Sequence, residues 1–144
     1  MILPDVNVLI YAFDEQSPLH ERSRTWLETT LSGSETVGLA WTVMLAFVRL
    51  TTNPRIFDNP MTAAEAIGHV ERWLDLPCTT IVHPTNRHTA LIGEFLGERG
   101  VAANLVMDAH LAALAIEHGA RLASADHDFA RFGGVEWFDP TSTP

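Results

Sequence analysis

The chain has 144 residues, 18 of them acidic and nine basic, which gives a net charge of −9. That length suits one domain over residues 1–144 with a core of its own, and a single cysteine, Cys78, excludes both an internal disulfide framework and a Cys-rich zinc site. All nine basic residues are arginine, so lysine-dependent chemistries such as a P-loop or a Schiff base are excluded, and the acidic excess opposes a surface that coats nucleic acid through its phosphates.

Met1–Asp5 is short and apolar and ends on a carboxylate. Asn7–Phe13 reads as a helix, and Ser17-Pro18 opens a second one running to about Leu31. Thr36–Ala40 reads as a strand and Trp41–Thr51 as an apolar helix stopped by Asn53-Pro54. Thr52–Asn59 is a loop around Arg55. Thr62–Leu74 is a helix with Thr62 as N-cap and Glu65 three residues on, the capping-box spacing. Thr79–Val82 is a strand. Asn86–Arg99 is a helix with Gly100 just past its end, and Asn104 caps a further helix that reaches His118 and stops at Gly119. Arg121–Ser124 is a strand, Asp126–Arg131 a short helix and Val135–Phe138 a last strand; Thr141–Pro144 reads as a frayed tail. No apolar run reaches the roughly 20 residues that span a bilayer, and Asp5 breaks the N-terminal apolar stretch, so the expectation is a cytoplasmic soluble protein.

Strands alternate with helices throughout, which predicts an α/β fold around a parallel sheet. In such sheets, ligand sites gather at the carboxyl ends of the strands. Asp5 and Asp126 each follow an apolar strand and precede a helix, so they are expected to converge there. Asp108 stands in the first turns of its helix, in register with Leu105, Leu111, Ala112 and Ala115, so it projects inward. Each aspartate has a plainer reading as a helix cap. An inward carboxylate with no lysine to pair with is costly, however, and three converging carboxylates repel one another. A hard divalent cation relieves that repulsion, and all-oxygen ligands favour Mg2+ or Mn2+ over zinc. The seven histidines show no metal-binding spacing. His110 and His127 adjoin acidic positions, each with a packing role as the stronger reading.

The opening ILPDVNVLIYAFD, the stretch WTVMLAFVRLTTNPRIF, the segment ANLVMDAHLAALAIEHGARLASADHDFARF and the late Val-Glu-Trp carry a resemblance over essentially the whole chain. It resembles the PIN-domain ribonucleases, specifically the VapC toxins of VapBC toxin–antitoxin modules. That resemblance implies a three-layer PIN-like domain and a Mg2+-dependent endoribonuclease acting on structured RNA such as tRNA or ribosomal RNA. It also implies a homodimer neutralised by a cognate VapB antitoxin, with DNA contacted only through that antitoxin. Position by position, Asp5, Asp108 and Asp126 match the metal-binding aspartates and Asp128 an accessory carboxylate. Asn7 and Ser124 match supporting polar positions, and Asn104 adjoins the site. Many members carry a glutamate where this chain has Ala46. Pro4 is a second departure, because proline is awkward in a central strand.

The chemistry expected is metal-assisted phosphodiester hydrolysis, with the carboxylates orienting and deprotonating water. Arg49 or Arg55 would hold phosphate, although a structural ion pair is the stronger reading for Arg49. Two rivals stand beside it. One is an RNA-binding protein that blocks translation without cutting; the other is a structure-specific DNA nuclease.

Overall fold

The computed structural model describes residues 1–97 and 103–143. In chain order the elements are β1 (Ile2–Pro4), α1 (Val6–Tyr11), α2 (His20–Leu31), β2 (Val37–Ala40), α3 (Trp41–Thr51), α4 (Ala63–Leu74), β3 (Thr79–Val82), α5 (His88–Gly97), α6 (Val106–Glu117), β4 (Arg121–Ala123) and β5 (Trp137–Phe138). A 3-10 turn, Ala103–Leu105, precedes α6, and another, His127–Arg131, follows β4. Among the described residues no helix is long and apolar enough to cross a membrane.

The five strands form one parallel sheet in the order β3-β2-β1-β4-β5. The chain winds outward from β1 to one side and then returns to build the other. The order therefore reverses beside β1, between it and β4, and that is where an open α/β sheet leaves a crevice. Leu3, Leu9, Leu39, Met44, Phe47 and Leu122 fill the interior, none more than 2% exposed. α6 buries Ala109 and the run Leu111–Ala115, so it is covered on nearly every side.

Pro4 is accommodated at the end of β1. Ile2 N–H donates toward β2, to Thr36 O, and Asp5 N–H donates toward β4, to Ala123 O. With the strand period of two, the N–H that proline lacks would face β2, where pairing with β1 has already ended after Ile2↔Val37.

Several boundaries differ from expectation. Ser17 does not cap α2; its hydroxyl accepts from Leu19 N–H, making a local turn, and the helix starts at His20. The position expected of Asn104 as a helix cap falls to Leu105, because the 3-10 turn intervenes. Thr141 is not frayed. It is 3% exposed, its hydroxyl donates to Asp139, and its carbonyl accepts from Arg22. The expected end of α5 at Arg99 and Gly100 lies outside the described residues.

Candidate active site

Asp5 leaves β1 in extended conformation and caps α1, with Oδ1 accepting from Val6 N–H at 2.7 Å. Its Oδ2 accepts from Asn7 Nδ2 at 2.8 Å and from the Ser124 hydroxyl at 2.7 Å. Ser124, at the end of β4 and fully buried, accepts in turn from Asn7 Nδ2 and from Asp126 N–H, both at 3.0 Å. Asn7 Oδ1 accepts from Ala125 N–H. The plain capping reading of Asp5 is thus true but incomplete. One helix cap is fused to a polar junction that ties β1 to β4 across the crevice.

Asp126 caps the 3-10 turn after β4, its Oδ1 accepting from Asp128 N–H at 2.9 Å. Asp128 is half-buried and pairs loosely with Arg131 at 3.4 Å. Asp108 lies half-buried in the first turn of α6. Burial, then the nearby charges of Asp5, Asp126 and Asp128, push its pKa from 3.8 up to about 6. Burial likewise raises Asp5; the bonds from Ser124 and Val6 oppose it, and Asp126 adds to it. The four aspartates singled out from the sequence therefore share one electrostatic neighbourhood.

A cleft of about 170 Å3 opens here, lined by Asp5, Thr42, Ala46, Arg49, Met107 and Asp108 among others. A hollow of about 350 Å3 between the loops after α1 and α3 is larger, but it holds none of the junction residues. Arg49 reaches the cleft wall from α3. Contrary to its expected structural pairing, its guanidinium makes no ion pair among the described residues. Arg55 is exposed in its loop, away from the cleft lining. The backbone of Asn104 lies in the turn entering α6, and its side chain falls outside the described part.

Among the described residues no three Asp, Glu, His or Cys side chains close on a single ion-sized point. The donor set still fits a divalent cation. Its atoms are all oxygens, they repel one another, and Mg2+ typically keeps several waters while taking one or two carboxylates directly. Asp5, Asp108 and Asp126, none of them ion-paired among the described residues, are the groups that would hold it.

Sequence reasoning left Thr42, His88 and Glu117 unassigned, and gave His110 a packing role. Thr42 lines the cleft and meets His110; His110 meets His88; His88 meets Glu117. His127 turns away from the cleft, to Asp139 and the edge of Trp137.

Comparison with known proteins accords with this geometry. The family model for the PIN domain matches residues 2–135. Ribonuclease VapC37 of Mycobacterium tuberculosis is 47% identical over 140 residues, 97% of each chain. Ribonuclease VapC33 of the same species is 36% identical over 140 residues, covering 97% of this chain and 98% of that one. Among solved structures, VapBC-1 of nontypeable Haemophilus influenzae aligns with a TM-score of 0.69 at 15% identity, covering 99% of this chain and all of the other. VapBC2 of Rickettsia felis, bound to a fragment of its promoter DNA, aligns at 0.68 and 17%, covering 96% and 98%. This chain belongs to the PIN domain family and, within it, to the VapC group.

Proposed function

We propose that the chain is the toxin of a VapBC-type toxin–antitoxin module, an endoribonuclease that arrests growth by cutting structured RNA such as tRNA or ribosomal RNA. The observation that carries this reading is the convergence of Asp5, Asp108 and Asp126 at the crevice beside β1, with Asp108 raised to a pKa of about 6 by burial and then by its acidic neighbours. VapC kinship across the chain's length supports the ribonuclease activity.

Bound at these oxygens, a divalent cation, Mg2+ or Mn2+, would neutralise phosphate charge and acidify water. Asp5 binds and orients, because Asn7 and Ser124 leave its carboxylate little freedom. Asp126 has Oδ1 committed to Asp128 N–H, which leaves Oδ2 to orient the attacking water and accept its proton. Arg49, which makes no ion pair among the described residues, grips a phosphate oxygen pair. Met107 lines the cleft at 56% exposure, and Trp41 and Leu45, next in the chain to the lining residues Thr42 and Ala46, stay 45% and 60% exposed. That apolar rim suits a protein partner, in keeping with a cognate antitoxin and a homodimer. We place the protein in the cytoplasm and read residues 1–144 as one domain.

Purified protein incubated with RNA and Mg2+ or Mn2+, with and without chelator, tests the reading. Cleavage is expected, and Asp5→Asn and Asp108→Asn should each lower it at least a hundredfold. Co-expression with the product of the adjacent reading frame should restore growth. A folded protein that binds RNA but cuts it under no divalent metal would favour the RNA-binding translation blocker, for which Ala46 is the motivating feature.

A further inference from the structure

Three helices contribute to one hydrogen-bond chain that ends at the cleft. At its inner end Glu117, on α6, has no exposed side-chain surface. Its Oε1 accepts from Thr85 N–H at 3.1 Å and from the Thr85 hydroxyl at 2.5 Å, and its Oε2 meets His88 Nδ1 at 2.6 Å. His88, on α5, meets His110 Nδ1 through Nε2 at 2.7 Å. His110, on α6, meets the Thr42 hydroxyl through Nε2 at 3.1 Å. Thr42, on α3, stands in the cleft wall with Asp5 and Asp108.

An ionised carboxylate only accepts, so His88 carries its hydrogen on Nδ1. With both rings neutral, the remaining directions follow. His88 Nε2 accepts, His110 carries its hydrogen on Nδ1, and His110 Nε2 accepts the one hydrogen of Thr42. Thr42 Oγ1 then offers the cleft lone pairs alone. Asp5 and Asp108 beside it are acceptors as well. A chain built only to staple helices together has no need to end at a cleft wall.

We propose that Thr42 selects ribose over deoxyribose in this cleft: the Glu117–His88–His110 chain fixes its hydroxyl as an acceptor, and a ribose 2′-hydroxyl beside the bound phosphate donates to it. The 2′-hydroxyl is the donor that DNA lacks at that place. This rests on the nuclease reading only in that a nucleic acid enters the cleft. His88, His110 and Glu117 act through Thr42 and are positioning residues.

Two measurements test it. Long-range proton–nitrogen correlation of the imidazoles, at about pH 8 and so above the ordinary imidazole range, reads the tautomers without any substrate. Nδ1–H on both rings is expected; His110 with its hydrogen on Nε2 overturns the proposal. The second measurement is fluorescence anisotropy with a single-stranded RNA oligonucleotide and its fully 2′-fluoro counterpart, in Ca2+ to keep the RNA intact. The 2′-fluoro group keeps a ribose-like pucker but cannot donate. The native protein should bind the RNA about two- to tenfold more tightly, the worth of one hydrogen bond. Thr42→Val should erase that preference and Thr42→Ser restore it, with melting curves confirming that both fold. Equal affinity of the native protein for the two, a preference that survives Thr42→Val, or no binding of either oligonucleotide sinks the proposal. A preference that vanishes in Thr42→Val, in a protein that never cleaves, would sink the nuclease reading and leave this one standing.

Discussion

Asp108 carries an electrostatic cost that metal binding would relieve. Its pKa of about 6, raised from 3.8 by burial and three neighbouring carboxylates, means that the folded state favours the protonated form. The stability tied to that proton is complete below the unfolded value of 3.8 and is lost as pH rises through about 6. Asp108→Asn should therefore stabilise the metal-free protein at neutral pH, and its advantage should shrink as the medium is acidified through that window. Thermal melts in chelator across the range measure this; a gain independent of pH would contradict it. Mn2+ should raise the melting temperature of the native protein and do so far less in Asp108→Asn. Ala46 argues in the opposite sense. It lines the same cleft one turn from Arg49, so Ala46→Glu adds a carboxylate that attracts cations. The Mg2+ concentration for half-maximal cleavage should fall several-fold, and an unchanged value would remove position 46 from the site.

At the scale of elements, the sequence was most readable where chemistry is local. The Thr62–Glu65 capping box forms in both directions, and Thr62→Ala should cost about 1 kcal/mol in chemical denaturation. Gly119 ends α6 at φ 58°, where glycine is at ease. Gly38, inside β2, has a reason that no sequence pattern reveals. A Cβ there would stand 2.8 Å from Val82 Cγ1 and 3.1 Å from Met1 Sδ, so Gly38→Ala should destabilise by roughly 1–3 kcal/mol through overpacking. The meeting of Asp5 and Asp126 was likewise legible, because each follows a strand and the parallel sheet brings such ends together, whereas Asn7 and Ser124 entered only through the family resemblance. The Thr42–His110–His88–Glu117 chain was not. It depends on how α3, α5 and α6 are rotated against one another, and α6 is apolar on nearly every side, so its periodicity does not say which way His110 points. The lack of an ion pair on Arg49 among the described residues was not legible for a related reason: a pairing partner across space leaves no trace in spacing.

For the whole molecule, the net charge of −9 governs approach more than grip. An antitoxin segment carrying basic residues should associate faster at low salt, with dissociation little changed. Stopped-flow mixing over a salt series checks this, and a salt-independent association rate would count against a basic segment as the partner. The junction at Asp5 adds a constraint in time. Asp5 and Ser124, whose bond closes the site, are separated by 119 positions, and β1 lacks its neighbour on that side until Arg121–Ala123 has been made. Contacts so distant along the chain form late. A ribosome translating this message therefore carries a nascent chain that holds Asp5 and Asn7 almost from the start yet cannot arm them until the product is nearly finished. Chains that stop before Arg121 lack the strand and the serine that hold Asp5 and are expected not to cut RNA, which expression of such truncated chains would check.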